Sequence, residues 1–319
     1  TPPRMEKFDP GDFSLVVFDE CHHAPAKSWQ RVADHYRQNP RLRVVGVTAT
    51  PDRADRKTMR SAGFEHVAYE YTIAEAIADG WIVAPRQSIV EVEDLDFSGI
   101  RTTAGDLNGR ELASVMEEEH ALHGVAGPTV EIAGERRVLI FTASVRQAQL
   151  MVDILNRHRD GSAAMVSGKT PRTTRREIVQ DFASGRLQFL CNVGCFTEGF
   201  DDPGVELIVM ARPTKSRSLY CQMIGRGTRV LPGTVEGLGT PESRLSSIAS
   251  SAKPYVEILD FSGNAGRHRL VTCMDILGED MPTEVRDRAA RMAATTDAPA
   301  DVTELLKTAA DDVEEDERQ

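Results

Sequence analysis

Short runs of four or five apolar residues recur along the chain, separated by stretches with the rhythm of amphipathic helices. The first run, Leu15-Val16-Val17-Phe18 closing in Asp19-Glu20, predicts a buried parallel strand with carboxylates at its C-terminal tip. A helix is predicted over 25–38, stopped by Asn39-Pro40, and a second strand over 43–47 leads into Thr48-Ala49-Thr50-Pro51. Strand, helix, strand is the order of α/β layering. A short helix over 74–79 closes at Gly80, and the chain then leads outward through 81–85.

A second alternation starts at residue 138. Strands are predicted over 138–141, 163–166, 187–191, 205–209 and 255–259, and helices over 144–157, 173–183 and 218–224, the last running into Gly225-Arg226-Gly227. Strands separated by helices imply a parallel sheet with functional loops at the strand C-terminal ends. Residues 93–136 are polar and less regular, with one helix over 110–120, and 233–251 reads as a Gly/Ser-rich loop. Beyond residue 278 large apolar residues are few and Ala, Thr, Asp and Glu dominate, which predicts an acidic, mobile tail, helical at best. The chain of 319 residues has room for two domains and that tail, and the expected division is 1–84, 85–277 and 278–319.

Composition narrows the class. Hydrophobic residues are 40% and charged residues 27%, as in an ordinary globular protein, and no apolar run is long enough for a membrane span. The formal charge is −11, which argues mildly against a polyanionic partner. The acid is concentrated at 311–317, however, whereas arginines and lysines populate 136–229, so local basic surfaces remain open. Five scattered cysteines, an odd number with no CxxC pair, do not make a disulfide framework and fit a reducing cytoplasm. Cys21-His22-His23 lacks the second cluster that a zinc site needs.

Four segments carry chemistry. Asp19-Glu20-Cys21-His22 ends a strand with two carboxylates. Such an Asp can hold Mg²⁺ through water and such a Glu can activate an attacking water, though a polar strand end capping a helix reads equally well. Thr48-Ala49-Thr50 places small hydroxyls after a strand, as a relay or as a plain turn. Thr197-Glu198-Gly199-Phe200-Asp201-Asp202 makes a tight loop able to approach a nucleotide or a backbone, or an ordinary turn. Gln222 to Arg229 puts Arg226 and Arg229 three apart, which on a helix shares one face, with glycines that allow close approach. Guanidinium groups stabilise charge on a transferring phosphoryl group, and the alternative is a basic helix face paired with carboxylates.

In this order the segments resemble a superfamily 2 helicase of the DEAD/DEAH-box-like group that includes type III restriction subunits and XPB-like DNA helicases. Motif II is Asp19 to His22, motif III Thr48 to Thr50, motif V Thr197 to Asp202 and motif VI Gln222 to Arg229; 138–144 is similar to motif IV. The stretches 75–81 and 211–216 also resemble that group, and the likeness runs from Phe13 to Leu277. The resemblance implies two RecA-like parallel-sheet α/β lobes clasping ATP and moving along a nucleic acid, DNA before RNA. By carry-over, Asp19 organises Mg²⁺ and Glu20 activates water, with His22, Thr48, Thr50, Glu198, Gly199, Asp201 and Gln222 binding or coupling ATP. Arg226 and Arg229 reach the γ-phosphate, Arg229 first, and Thr142, Thr197 and Arg212 meet the strand.

The resemblance also calls for a GxxxxGK[ST] phosphate loop upstream of the Asp-Glu strand, where thirteen residues precede Ser14 and the chain opens on Thr1. Gly168-Lys169-Thr170 has Ala163 where the first glycine belongs and follows a strand of the second lobe, where the group often carries a similar stretch. The expectation is therefore an N-terminally truncated helicase with an incomplete first lobe. Two other readings stand beside it. One is a non-catalytic nucleic-acid-binding scaffold. The other is the motor subunit of a restriction or defence system, served by a nuclease or other partner.

Overall fold

A computed structural model describes residues 5, 7–21, 24, 26–48, 59–194, 201–296 and 298–318. It divides into two units, Thr1–Glu70 with Ser216–Cys221, and Tyr71–Lys215 with Gln222–Gln319. Residues 71–84, expected with the first domain, thus fall in the second unit.

In the first unit, β1 (Leu15–Phe18) and β2 (Arg43–Gly46) pair in parallel, with Val16 opposite Val44 and Phe18 opposite Gly46. The Lys27–Tyr36 helix makes the crossover that a parallel pair requires. Phe18, Cys21 and Ala33 form a small core with Trp29, Val32 and Phe64 against it, and the Phe18 and Phe64 rings meet edge to face at 6.3 Å. Gly46 lets this core close: a Cβ there would lie 2.6 Å from Phe64 and 2.7 Å from the Cys21 Sγ. The strand predicted to be buried is buried on one face only. Leu15, Val17, Val45 and Val47, the alternate positions, are about half exposed.

The second unit is built on a seven-stranded sheet. Its strands, with a small β4–β5 hairpin beside them, are β3 (Ala84–Asp96), β4 (Thr102–Thr103), β5 (Asp106–Leu107), β6 (Val138–Thr142), β7 (Ala163–Ser167), β8 (Phe189–Val193), β9 (Leu207–Ala211), β10 (Tyr255–Asn264) and β11 (Ala300–Asp301). The sheet order is β11-β3-β10-β9-β6-β8-β7, parallel throughout except for β11 against β3. Every residue of β6 and β9 is buried, as central strands covered on both faces must be. The fold is α/β with a mostly parallel sheet, as expected.

Three stretches differ from the sequence reading. Residues 93–136, expected to be irregular apart from one helix over 110–120, hold that helix as Gly109–Met116, the end of the long β3 and a second helix, Glu119–Ala133. The Gly/Ser-rich loop contains a helix, Pro241–Ala249, capped by the Thr240 hydroxyl. The acidic tail is folded rather than mobile: helices Thr283–Ala294 and Val302–Arg318 pack together, and β11 joins the sheet edge. Val302, Leu306, Ala309 and Val313 repeat every three or four residues and are buried, so a narrow apolar stripe suffices while the acids face outward. Among the described residues no helix is long and apolar enough to cross a membrane.

Candidate functional site

In the first unit the carboxylates lie where β1 ends. Asp19 is exposed and Glu20 half-buried, and the Asp19 Oδ1 accepts the Glu20 amide at 2.9 Å. Glu20 has φ 48°, the left-handed region that costs a non-glycine residue roughly 1 kcal/mol or more. The turn is locked from beneath: Cys21 N donates to Val47 O and Val47 N to Phe18 O, both at 2.9 Å. Because the strands are parallel, this lock also brings the end of β2 alongside, and Thr48 follows Val47 there, half-buried. Burial pushes the Cys21 thiol up, only partly offset by its backbone hydrogen bond, and the neighbouring Glu20 and Asp19 charges raise it further. Cys21 is therefore packing, with no thiolate character for chemistry.

In the second unit the arginines are not on a common helical face, which corrects the sequence reading. The Arg217–Ile224 helix carries Gln222 and stops before them; Arg226 lies in the following turn, and Arg229 is extended in an antiparallel bridge with Ile82. Gly227 in this stretch lies close against the sheet: a Cβ there would lie 2.5 Å from Val256 and 2.8 Å from Ile208. Val83 N adds a 2.8 Å bond to Thr228 O. The Arg229 guanidinium pairs with Asp201, and both side chains keep solvent access. Asp202 beside it is buried, pairs with Arg137 at 3.1 Å and accepts the Gly204 amide at 2.9 Å. Lys253, also buried, donates to Pro203 O at 2.7 Å and Arg229 O at 2.8 Å.

Thr142 does not suit the strand contact expected of it. It is 1% exposed and its hydroxyl donates to Asn192 O at 2.9 Å, tying β6 to β8. Arg212 is half-buried just past β9. The next residues are held by Asp106 of β5, which accepts from the Thr214 hydroxyl at 2.8 Å and the Lys215 amide at 2.7 Å. His22, Thr50, Thr197, Glu198 and Gly199 lie outside the described residues.

The family profile described as "Type III restriction enzyme, res subunit" matches residues 3–53, and "Helicase conserved C-terminal domain" matches residues 121–230. The Saccharomyces cerevisiae protein IRC3, whose name assigns it as an ATP-dependent helicase, is 31% identical over 71% of this chain and 33% of its own length. The chain belongs to the superfamily 2 helicases, in the type III restriction and XPB-like group. The Sulfurisphaera tokodaii DNA 3'-5' translocase XPB2 is 25% identical over 67% of this chain and 55% of its own length. A Vibrio vulnificus fragment, described as an HsdR subunit of a type I restriction enzyme, shares the fold with TM-score 0.59 at 20% identity, covering 83% of this chain and 46% of that one. The chain thus spans between a third and just over half of these proteins.

Motif reading singled out Asp19, Glu20, Asp201, Arg226 and Arg229 but not the contacts made by Lys253, Arg137 and Asp106 around the second-unit segments. Lys253 and Asp106 lie away from the motifs in sequence, Arg137 sits just before the stretch similar to motif IV, and none of the three gives a signal beyond its charge. Gly227 can be tested directly. Gly227→Ala is expected to lower stability by about 1–3 kcal/mol through overpacking against Val256 and Ile208, read from urea unfolding of the 319-residue chain.

Proposed function

We propose that this chain is the motor section of an ATP-dependent helicase or translocase acting on nucleic acid, DNA before RNA. Asp19 and Glu20 of the first unit and Arg226 and Arg229 of the second serve one hydrolysis. The observation that carries this reading is the Asp19-Glu20 turn, held with Thr48 at the C-terminal ends of two parallel strands, where α/β sheets present their ligand chemistry. Glu20, half-buried and fixed by its turn, orients and deprotonates the attacking water. Arg229, with its backbone pinned and its guanidinium solvent-accessible, supplies positive charge to the transferring phosphoryl group, and Arg226 assists.

The donor set fits Mg²⁺. Among the described residues no group of three or more His, Cys, Asp or Glu could cage a metal. A single exposed carboxylate, Asp19, suits a cation that keeps most of its water and binds largely through the phosphates. When bound, that cation would neutralise phosphate charge.

The sequence contains no GxxxxGK[ST] loop, and Gly168-Lys169-Thr170 follows β7 of the second unit. The 319-residue chain alone is therefore expected to release almost no phosphate from ATP, and the full-length gene product to release it with stimulation by duplex DNA. A phosphate-release assay on both, with and without DNA, decides. Robust turnover by the 319-residue chain would refute the loop argument, and a DNA-independent or inactive full-length product would refute the motor. The missing loop favours a second reading for the isolated chain, a DNA-binding scaffold, which predicts salt-dependent binding that ignores nucleotide. The match to a restriction-subunit profile supports a nuclease or other partner for the complete protein. The reducing, cytoplasmic setting proposed from the scattered cysteines fits the four of them described as free thiols, Cys21, Cys191, Cys221 and Cys273.

A further inference from the structure

We infer that Lys253 is a positioning residue for Arg229, gripping through one ammonium group the backbone carbonyls of Arg229 and of Pro203. The inference rests on the hydrolytic role proposed above for Arg229. Lysine is almost never fully buried without a partner, yet Lys253 is 2% exposed. Its Nζ donates to Pro203 O at 2.7 Å and to Arg229 O at 2.8 Å, carbonyls from two separate segments. One segment leads on from Asp201, whose carboxylate pairs with the Arg229 guanidinium, and the other carries Arg229 itself. Lys253 thus fastens the main chains of the two segments that this ion pair joins through side chains. A shift of about 1 Å in a group that must meet a reacting phosphate can cost on the order of 100-fold in rate, so such a clamp has a catalytic consequence.

The surroundings give the clamp a pH signature. Burial pulls the Lys253 ammonium down to about 7 from 10.5; Asp202 and Glu206 favour the charge, and Arg137 and Arg229 oppose it. Because the folded value lies below the unfolded one, the unfolded chain binds more protons between about 7 and 10.5, and stability rises with pH across that window. The grip runs the other way. Loss of the proton removes the charge assistance from both hydrogen bonds, so positioning of Arg229 weakens as pH rises past about 7. A residue that only supported the fold would make activity follow stability, whereas a positioning lysine makes the two diverge.

Lys253→Met keeps the length and removes the donors. In the 319-residue chain at pH 6.5, hydrogen exchange is expected to quicken about tenfold or more at amides in 201–205 and 228–231, with the Val138–Thr142 strand unchanged. Unchanged exchange in those two segments, or an equal rise in Val138–Thr142, would overturn the inference. In the full-length gene product with ATP and duplex DNA, the variant is expected to lower kcat about tenfold or more at a KM for ATP within about twofold. It should also flatten the decline of kcat above pH 7 and add no loss in an Arg229→Ala background. A full additive loss in that background would overturn the inference. If wild-type full-length product hydrolyses no ATP, the hydrolytic role of Arg229 falls, and with it the catalytic part of the inference; the exchange experiment still decides the clamp.

Discussion

Glu20→Gln in the full-length gene product is expected to bind ATP and DNA as the wild type does while its turnover falls about 10²–10⁴-fold, the usual worth of a positioned general base. The amide keeps the size and hydrogen-bonding reach of the carboxylate, so the turn that sets φ 48° at this position is retained. Only the ability to take a proton is lost. The substitution leaves the backbone contacts of the turn in place: the Asp19 carboxylate accepts the Glu20 amide, and the Cys21 and Val47 amides close the strand ends. Nucleotide binding by fluorescence anisotropy and steady-state phosphate release, measured on one preparation, separate the two effects. Normal turnover in this variant would remove Glu20 from the reaction.

Arg229→Ala is expected to lower kcat by about 10³-fold or more, since a guanidinium stabilising a transferring phosphoryl group is worth 10³–10⁵. The KM for ATP should change far less, because the charge it stabilises develops in the transition state. Folding should be little affected. Arg229 holds its neighbours through its backbone, in the bridge to Ile82 and the carbonyl taken by Lys253, and its solvent-accessible side chain pairs with Asp201. An unchanged urea midpoint alongside the lost rate is therefore part of the expectation. Arg229→Lys should recover little, because an ammonium is a point charge without the planar fork of a guanidinium.

The sequence displayed the sheet better than it displayed the site. The strands at 138–142, 163–167, 189–193 and 207–211 are short, mostly apolar runs in which only Thr142, Ser167 and Asn192 are polar. β3 was hidden because Arg86, Gln87, Glu91 and Glu93 interrupt its apolar positions; Gln87 is nonetheless buried, and its amide pairs with Asp260 of the adjacent strand. The Glu119–Ala133 helix was obscured by Gly124, Gly127 and Pro128, poor helix formers overridden by burial of Leu122, Val125, Ala126 and Ala133. In the last helix, alanine and acid dominate the composition, and only the spacing of Val302, Leu306, Ala309 and Val313 betrays a packed face. At the site, residue types were legible and conformations were not. Two arginines three apart suggested a helical face, but Gly227 lies against Val256 and Ile208, a contact that no local pattern reveals. Lys253 was invisible for the same reason, since its role depends on carbonyls 24 and 50 residues away.

The central claim, that the acids of the first unit and the arginines of the second serve a single hydrolytic event, is tested most directly by a double-mutant cycle on DNA-stimulated phosphate release by the full-length gene product. Side chains that act as one unit lose most of their effect together. The account predicts that Glu20→Gln with Arg229→Ala is no slower than the slower single variant, within about threefold. Losses that multiply in full, or an Arg229→Ala variant that turns over at the wild-type rate, would contradict it.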